Sequence, residues 1–212
     1  MDERTTGLIL RTRILTETSL IVHWLTSDFG RMATVAKGAR RPKSPFRGKL
    51  DLFYLADLSF VRSRRSDLHT LREVAVRETP RALRQDLAYL QQASYCAMLV
   101  EQTSETDTPL SNIFTLLTGF VRQLPREPPR PQMVLAFELK LLEELGQSPV
   151  VAARGLSAGA RQILEKLTAL DWPELSRVKP SAAQCREIQE FLHGFMIYHL
   201  GKIPIGRSTA LG

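Results

Sequence analysis

The sequence has little cysteine, no long apolar run and no basic, apolar leader. Its two cysteines, Cys96 and Cys185, lie far apart and form no CxxC pair. Two free thiols in a reducing compartment are the simpler interpretation, with a single disulfide as the alternative. The longest apolar runs, such as residues 133–137, fall far short of the roughly 20 residues that a membrane span needs. We therefore expect a cytoplasmic protein that has no membrane partner.

Positive charge is present, and it is concentrated in one segment. The 212 residues contain 29 Lys and Arg against 22 Asp and Glu, for a net charge of +7. The rest of the chain has 22 residues of each sign, so residues 31–49 account for the whole excess. This segment contains no acid and seven cations: Arg31, Lys37, Arg40, Arg41, Lys43, Arg47 and Lys49. A local excess of this kind favours a polyanion site, and nucleic acid is the commonest polyanion. A solvated, charge-rich loop is the alternative.

Hydrophobic periodicity divides the chain near Thr79 and predicts an α+β protein. Five short segments with strand character precede that point, at 8–14, 20–25, 32–36, 52–61 and 71–76. Five such strands in about 80 residues favour a closed OB-type β-barrel. We assign residues 1–79 to this OB-fold domain and residues 80–212 to an all-helical domain. The basic segment then falls in a loop beside the third strand.

Apolar residues recur at spacings of three and four after Thr79, as in amphipathic helices. The stripes cover 83–100, 110–124, 134–145 and 188–200, with a further helix after Ser157. Thr79 and Thr108 each precede a proline and are predicted N-caps, and Ser181 with Gln184 matches a capping box. We expect a frayed tail over 201–212 and solvated acidic side chains on most helices.

No sequence pattern for catalysis or metal binding has the spacing and context that its chemistry requires. The GxSxG match at 155–159 is followed by Asp171 and His193. A nucleophile elbow needs a preceding strand in a parallel sheet, but every strong strand signal lies before residue 80 and only Val150 and Val151 precede the motif,. Ser157 is better explained as a helix N-cap. Residues 38–44 lack phosphate-loop spacing, and the four histidines are scattered. We therefore expect no enzyme activity, no cofactor and no metal.

The candidate site is a basic groove on the barrel, where single strands bind OB folds with the help of aromatic stacking. Phe46, inside the basic segment, could stack on a base or pin the loop. Phe53, Tyr54 and Phe60 could also stack, although strand alternation favours core packing. Arg11 and Arg13 share a strand face with Ile9 and could extend the groove, or form an ordinary solvated face.

Several motifs resemble one family, the bacterial recombination mediators known as RecO. The matching pieces occur in the family's order: GLIL at 7–10, ETSLIV at 17–22, LT at 25–26 four residues before Gly30, AKGARRPKS at 36–44, FEL at 137–139, LL at 141–142 and GQSP at 146–149. The resemblance implies an OB barrel, a helical domain, binding of single- and double-stranded DNA, and annealing of complementary strands in the nucleoid. It further implies help in loading recombinase onto DNA coated by single-stranded-DNA-binding protein, with RecR as partner.

The resemblance also makes the C-terminal tail of single-stranded-DNA-binding protein an expected ligand of the helical domain. The alternative is an RNA-binding or scaffolding OB protein whose basic loop docks an acidic protein. One departure from the family is plain. Many members carry a four-cysteine zinc module after the Gly-x-x-Pro element, whereas this chain continues with VVAARGLS at 150–157. We therefore expect no zinc, since a thiolate site needs about four close ligands.

Overall fold

A computed structural model describes residues 2–212 and contains a closed five-stranded barrel. The strands are β1 (Asp2–Ile14), β2 (Leu20–Thr26), β3 (Gly30–Ala36), β4 (Leu55–Val61) and β5 (Leu68–Glu78). They close in the order β1-β2-β3-β5-β4, with β3 and β5 parallel and every other pair antiparallel. The α+β class with an N-terminal OB-type barrel is thus confirmed.

The barrel closes because β1 is long enough to serve two partners. Its first half pairs with β4 and its second half pairs with β2, and both ladders include Gly7 and Leu8. A Cβ at Gly7 would lie 3.0 Å from the indole of Trp24, so glycine lets that side chain fill the interior. The Trp24 Nε1–H donates to the Thr34 hydroxyl at 2.9 Å, which satisfies the polar atom of a fully buried ring,.

A β-bulge changes the face assignment that simple alternation predicts for β1. The register against β2 shifts between Ile9 and Arg11. Ile9 is fully buried in the barrel core, whereas Arg11 is half-buried and Arg13 is exposed. The prediction that these three side chains share a face is therefore wrong, because one extra residue reverses the alternation.

The fourth strand begins later than its apolar pattern predicts. Leu52 and Phe53 form a turn, and β4 starts at Leu55. Phe53 has a φ of +61° and is almost fully buried, so its ring reaches the core from a loop.

Seven α-helices follow within the described residues: α1 (Leu87–Thr103), α2 (Ser111–Gln123), α3 (Pro131–Glu144), α4 (Pro149–Ala152), α5 (Ala158–Ala169), α6 (Ala182–Leu200) and α7 (Arg207–Leu211). α3 is buried along most of its length and packs against α1, α5, α6 and α7. It is therefore the centre of the helical core. None of the helices in residues 2–212 is long and apolar enough to cross a membrane.

Helix caps agree with the sequence prediction in two places and differ in two. The Ser181 capping box and the Ser157 N-cap are confirmed. Thr79 does not cap α1, because a 3-10 turn intervenes and the Asp86 carboxylate accepts from the Ala88 N–H at 2.8 Å. Thr108 does not cap α2, since its hydroxyl donates to a backbone carbonyl outside the helix that begins at Ser111.

The C-terminal tail is docked, so the prediction of fraying over 201–212 is wrong. Its α7 contains the buried residues Ala210 and Leu211. The Arg207 guanidinium donates to both oxygens of Glu138, at 2.7 and 2.9 Å, and Glu138 has 0% exposure. The missed signal is a charged residue on an otherwise apolar helix, which needs a partner if it is buried.

The chain divides into two compact units, and one connection returns to the barrel. The barrel unit contains the residues up to Arg81 together with Ser104–Thr115, and the helical unit contains Ala82–Thr103 and Leu116–Gly212. Arg62 joins the returning segment to the barrel by bonds to Asp107 at 3.1 Å and Glu3 at 3.0 Å. Gly30 allows a close approach of the same segment, because a Cβ there would lie 1.7 Å from the Thr108 carbonyl oxygen.

Candidate nucleic-acid interface

The part of the basic segment that follows β3, residues 37–49, is an ordered chain of turns. Backbone N–H groups repeatedly donate three residues back, from Arg41 to Gly38, from Ser44 to Arg41 and from Arg47 to Ser44, at 3.0–3.2 Å. Gly38 has a φ of +70°, a conformation that glycine adopts without a steric penalty,. A loop built this way has a defined backbone path, from which its side chains project.

Arg40 and Phe46 fix this loop against the barrel. The Arg40 N–H donates to the Thr18 carbonyl at 3.0 Å, and the Arg40 guanidinium donates to the Glu17 carbonyl at 3.0 Å. Phe46 is 6% exposed and belongs to the barrel core. Its burial favours the role of an anchor over that of an open stacking platform.

The loop presents most of its charge to solvent. Five of its cations are exposed: Lys37, Arg40, Arg41, Lys43 and Arg47. Lys49 is half-buried at the end of the segment. Arg40 and Arg47 also donate to backbone carbonyls, which leaves the charge uncompensated because a carbonyl is neutral. The loop therefore forms a cationic surface with no acid of its own, and such a surface can neutralise several phosphates.

Arg31 lies apart from this surface and has a structural contact. It is half-buried on β3, and its guanidinium donates to the Ser104 carbonyl at 2.5 and 3.1 Å. Its backbone forms an isolated parallel β-bridge with Thr106. We therefore assign Arg31 to the attachment of the returning segment and leave it out of the cationic surface.

Arg11 and Arg13 lie on the β1–β2 ladder, opposite His23 and Ile21. Ile21 in turn pairs with Val35 on β3. Two strand spacings, each of about 4.8 Å, therefore separate the Arg13 backbone from Val35 on β3,. Val35 is the residue before Ala36, where β3 ends. Arg13 thus lies at the same end of the barrel as Lys37, where the loop of the basic segment begins.

The other aromatic candidates belong to the core. Phe53 is 2% exposed and Phe60 is fully buried, while Tyr54 is half-buried against the same core. Phe60 also stacks on the His69 ring, with centroids 5.5 Å apart. These rings are placed as the core interpretation predicts.

The serine of the GxSxG match has a capping role. Ser157 Oγ accepts from the Ala160 N–H at 3.2 Å and donates to the Glu187 carboxylate at 2.8 Å. A second bond from the Ser157 N–H, together with that hydroxyl bond, lowers the pKa of Glu187. The arrangement joins the start of α5 to α6 and engages the Ser157 hydroxyl in helix capping.

Residues 149–157 do not suit the zinc module of the resembled family. They form α4, a 3-10 turn and the Ser157 cap, and none of them is a cysteine. Across residues 2–212, no group of three or more His, Cys, Asp or Glu side chains is placed to hold a metal. Cys96 is buried in the helical core, and burial raises the pKa of its thiol well above the ordinary value.

A five-stranded barrel with a cationic loop, followed by a helical unit, places the chain among proteins with an OB-type barrel and a helical domain. Comparison with protein families narrows that class. The profile described as "Recombination protein O N terminal" matches residues 1–80, and the one described as "Recombination protein O C terminal" matches residues 84–155. The chain belongs to the RecO family.

Individual relatives agree with this assignment. The chain is 34% identical over 143 residues to the DNA repair protein RecO of Rhodopirellula baltica, which covers 68% of this chain and 53% of that protein. It is 34% identical over 144 residues to DNA repair protein RecO of Anaeromyxobacter dehalogenans strain 2CP-C, covering 68% of this chain and 57% of the relative. For the Symbiobacterium thermophilum protein of the same name, the values are 37% over 150 residues, 69% and 58%. The matched region thus spans little more than half the length of these relatives.

Proposed function

We propose that this protein acts in DNA repair and recombination as a DNA-binding mediator without enzyme activity. The observation that carries the proposal is the acid-free cationic loop on an OB-type barrel. Its five exposed cations are held on an ordered, core-anchored scaffold, which suits a sugar–phosphate backbone and gives affinity without sequence preference,. The relatives carry the name DNA repair protein, which supports a repair role for this protein.

The proposed mechanism is charge neutralisation during strand annealing. Two complementary strands repel each other through their phosphates, and a cationic surface that binds both lowers this repulsion. The loop would hold single- and double-stranded DNA in the same way, since phosphates are common to both. Arg11 and Arg13 would continue the surface along the β1–β2 ladder.

We further propose that the protein works in the bacterial cytoplasm with protein partners. Family membership supports RecR and the C-terminal tail of single-stranded-DNA-binding protein as those partners, with recombinase loading as the outcome. The helical unit is our candidate for the protein contacts.

Charge reversal tests the proposal. Lys37, Arg41 and Lys43 are exposed and form no side-chain hydrogen bond or ion pair within residues 2–212, so their replacement by Glu should leave the loop folded. We expect the affinity of the triple variant for single-stranded DNA to fall at least tenfold. Complementary strands should anneal no faster with this variant than in buffer alone.

A charge-matched control separates local contact from net charge. The variant Lys166→Glu, Lys179→Glu, Arg186→Glu changes three exposed cations of the helical unit. If it weakens DNA binding as much as the loop variant does, the loop assignment is refuted. Tight binding of an acidic peptide with no DNA annealing would instead favour a scaffolding protein.

A further inference from the structure

A cavity of about 820 Å³ opens on the barrel beside the basic segment. It lies where β1, β4 and β5 meet the β2–β3 turn and residues 45–49. Its volume is within the range of about 300–1,000 Å³ that small-molecule sites occupy. Lys49 belongs both to the basic segment and to this cavity, so the cavity opens beside the cationic surface.

Three basic side chains line the cavity without an acidic partner. Arg4, Lys49 and Arg72 form no ion pair within residues 2–212. Two acids on β4 and β5 also line the cavity: Asp57, which is paired with Arg77 at 2.7 Å, and Glu73, which is exposed. Together with Asp28, the lining therefore has three acids and three cations. Unpaired cations at the edge of a pocket suit an anionic group such as a phosphate, which accepts charge-assisted hydrogen bonds.

An acceptor is fixed on the wall formed by the β2–β3 turn. Asp28 Oδ2 accepts from the Thr5 hydroxyl at 2.6 Å and from the Ser27 hydroxyl at 2.7 Å. These two bonds lower the pKa of the Asp28 carboxyl, which keeps it ionised. Oδ1 accepts no hydrogen bond from any residue between 2 and 212 and can receive one from a ligand.

The inner wall of the cavity is apolar. Phe46, Leu58 and Val74 line it with the edges that the barrel core leaves accessible, at 6%, 2% and 6% exposure. A ligand that matches all three features carries a phosphate, a flat apolar ring and a hydrogen-bond donor. A nucleotide has this combination of groups.

We propose that this cavity receives one unstacked nucleotide of a DNA strand bound along the basic segment. Its phosphate lies against Lys49 and Arg72, its base enters beside the apolar inner wall, and an exocyclic amino group donates to Asp28. Cytosine, adenine and guanine carry such an amino group, whereas thymine carries none. The inference rests on the proposed function, because the nucleotide arrives as part of a bound strand.

A blocking variant provides the first test. Ala75 is exposed and lines the cavity, so Ala75→Trp fills the space without changing charge. Ala169→Trp, at an exposed position at the end of α5, is the matched control. With an oligodeoxycytidine of about 16 nucleotides, we expect Ala75→Trp to bind about tenfold more weakly and the control to bind like the wild type.

A change of base preference provides the second test, which does not depend on the fold of the blocked variant. We expect wild-type protein to prefer oligodeoxycytidine over oligodeoxythymidine, measured by fluorescence anisotropy. The amide of Asp28→Asn offers a donor as well as an acceptor, so it should reduce this preference about fivefold.

The outcomes distinguish failure of the nucleotide site from failure of the proposed function. Equal affinities of the two Trp variants, or an unchanged base preference in Asp28→Asn, would overturn the nucleotide site while DNA binding by the loop stands. Failure of the wild-type protein to bind either oligonucleotide would overturn the proposed function and the nucleotide site together.

Discussion

The buried ion pair that docks the C-terminal helix gives the sharpest stability prediction. Arg207→Met removes the two hydrogen bonds to Glu138, of 2.7 and 2.9 Å, and also the bonds to the Gln189 carbonyl at 3.3 Å. Glu138 is 0% exposed, and the Tyr95 hydroxyl that donates to it at 2.5 Å cannot neutralise its charge. Leaving a buried carboxylate without its cation typically costs about 3–5 kcal/mol. We expect Arg207→Met to lower the free energy of unfolding of the helical unit by this amount.

The measurement is urea unfolding of the full chain, followed by far-ultraviolet circular dichroism. Arg186→Met, at an exposed position on the same chain, is the matched control and should stay within about 0.5 kcal/mol of the wild type,. Adding Glu138→Gln to Arg207→Met removes the stranded charge and should recover about 2 kcal/mol. Strict additivity of the two changes, or a loss below about 0.5 kcal/mol for Arg207→Met, would refute the reasoning.

Three further predictions concern the barrel unit. Gly30→Ala should destabilise the protein by at least about 2 kcal/mol in thermal unfolding, because its Cβ would meet the Thr108 carbonyl oxygen at 1.7 Å,. The control Gly48→Ala has a similar φ of +72° but open space around its Cβ, so it should cost only about 1 kcal/mol,. Arg62→Ala should cost about 1 kcal/mol through lost contacts with Phe29 and two acids, and a smaller loss for Arg62→Ala than for Arg62→Lys would contradict this account,. Because two hydroxyl bonds lower the pKa of Asp28 below its ordinary 3.8, its stabilising effect is present above that value and is lost as pH falls through the lowered pKa,. The urea midpoints of wild type and Asp28→Asn should therefore converge as pH falls below 3.8, and a constant difference would contradict the assignment,.

Local signals predict the barrel and most helices because they act at short range. Alternation over the strands and spacings of three and four over the helices report which face is buried, and the Ser181 capping box depends on neighbouring residues only,. The bulge at Ile9 is invisible to such patterns, since it depends on how β1 pairs with a separate strand. The same limit explains Thr79, whose cap position is displaced by a 3-10 turn.

Long-range partners account for the larger misses. Arg207 and Glu138 are 69 residues apart, and neither residue type signals burial by itself,. The tail therefore looks like a polar terminus until the fold supplies a carboxylate for its arginine. Likewise, Arg4, Asp28 and Arg72 come from three separate regions that only barrel closure brings to one cavity.

The basic segment could be located from charge alone, but the roles within it could not. Charge counting treats Arg31 and Lys43 alike, whereas the structure binds Arg31 to a backbone carbonyl and leaves Lys43 exposed. Phe46 likewise has two roles that sequence cannot separate, and its burial in the core favours one of them.

The salt dependence of single-strand binding tests the central claim most directly. Each phosphate contact on a single strand contributes about −0.7 to the slope of log K against log salt. We expect the triple variant Lys37→Glu, Arg41→Glu, Lys43→Glu to reduce the magnitude of the wild-type slope by about 2, measured between roughly 50 and 200 mM salt. An unchanged slope in the folded triple variant would contradict the assignment of the basic loop as the DNA-binding surface.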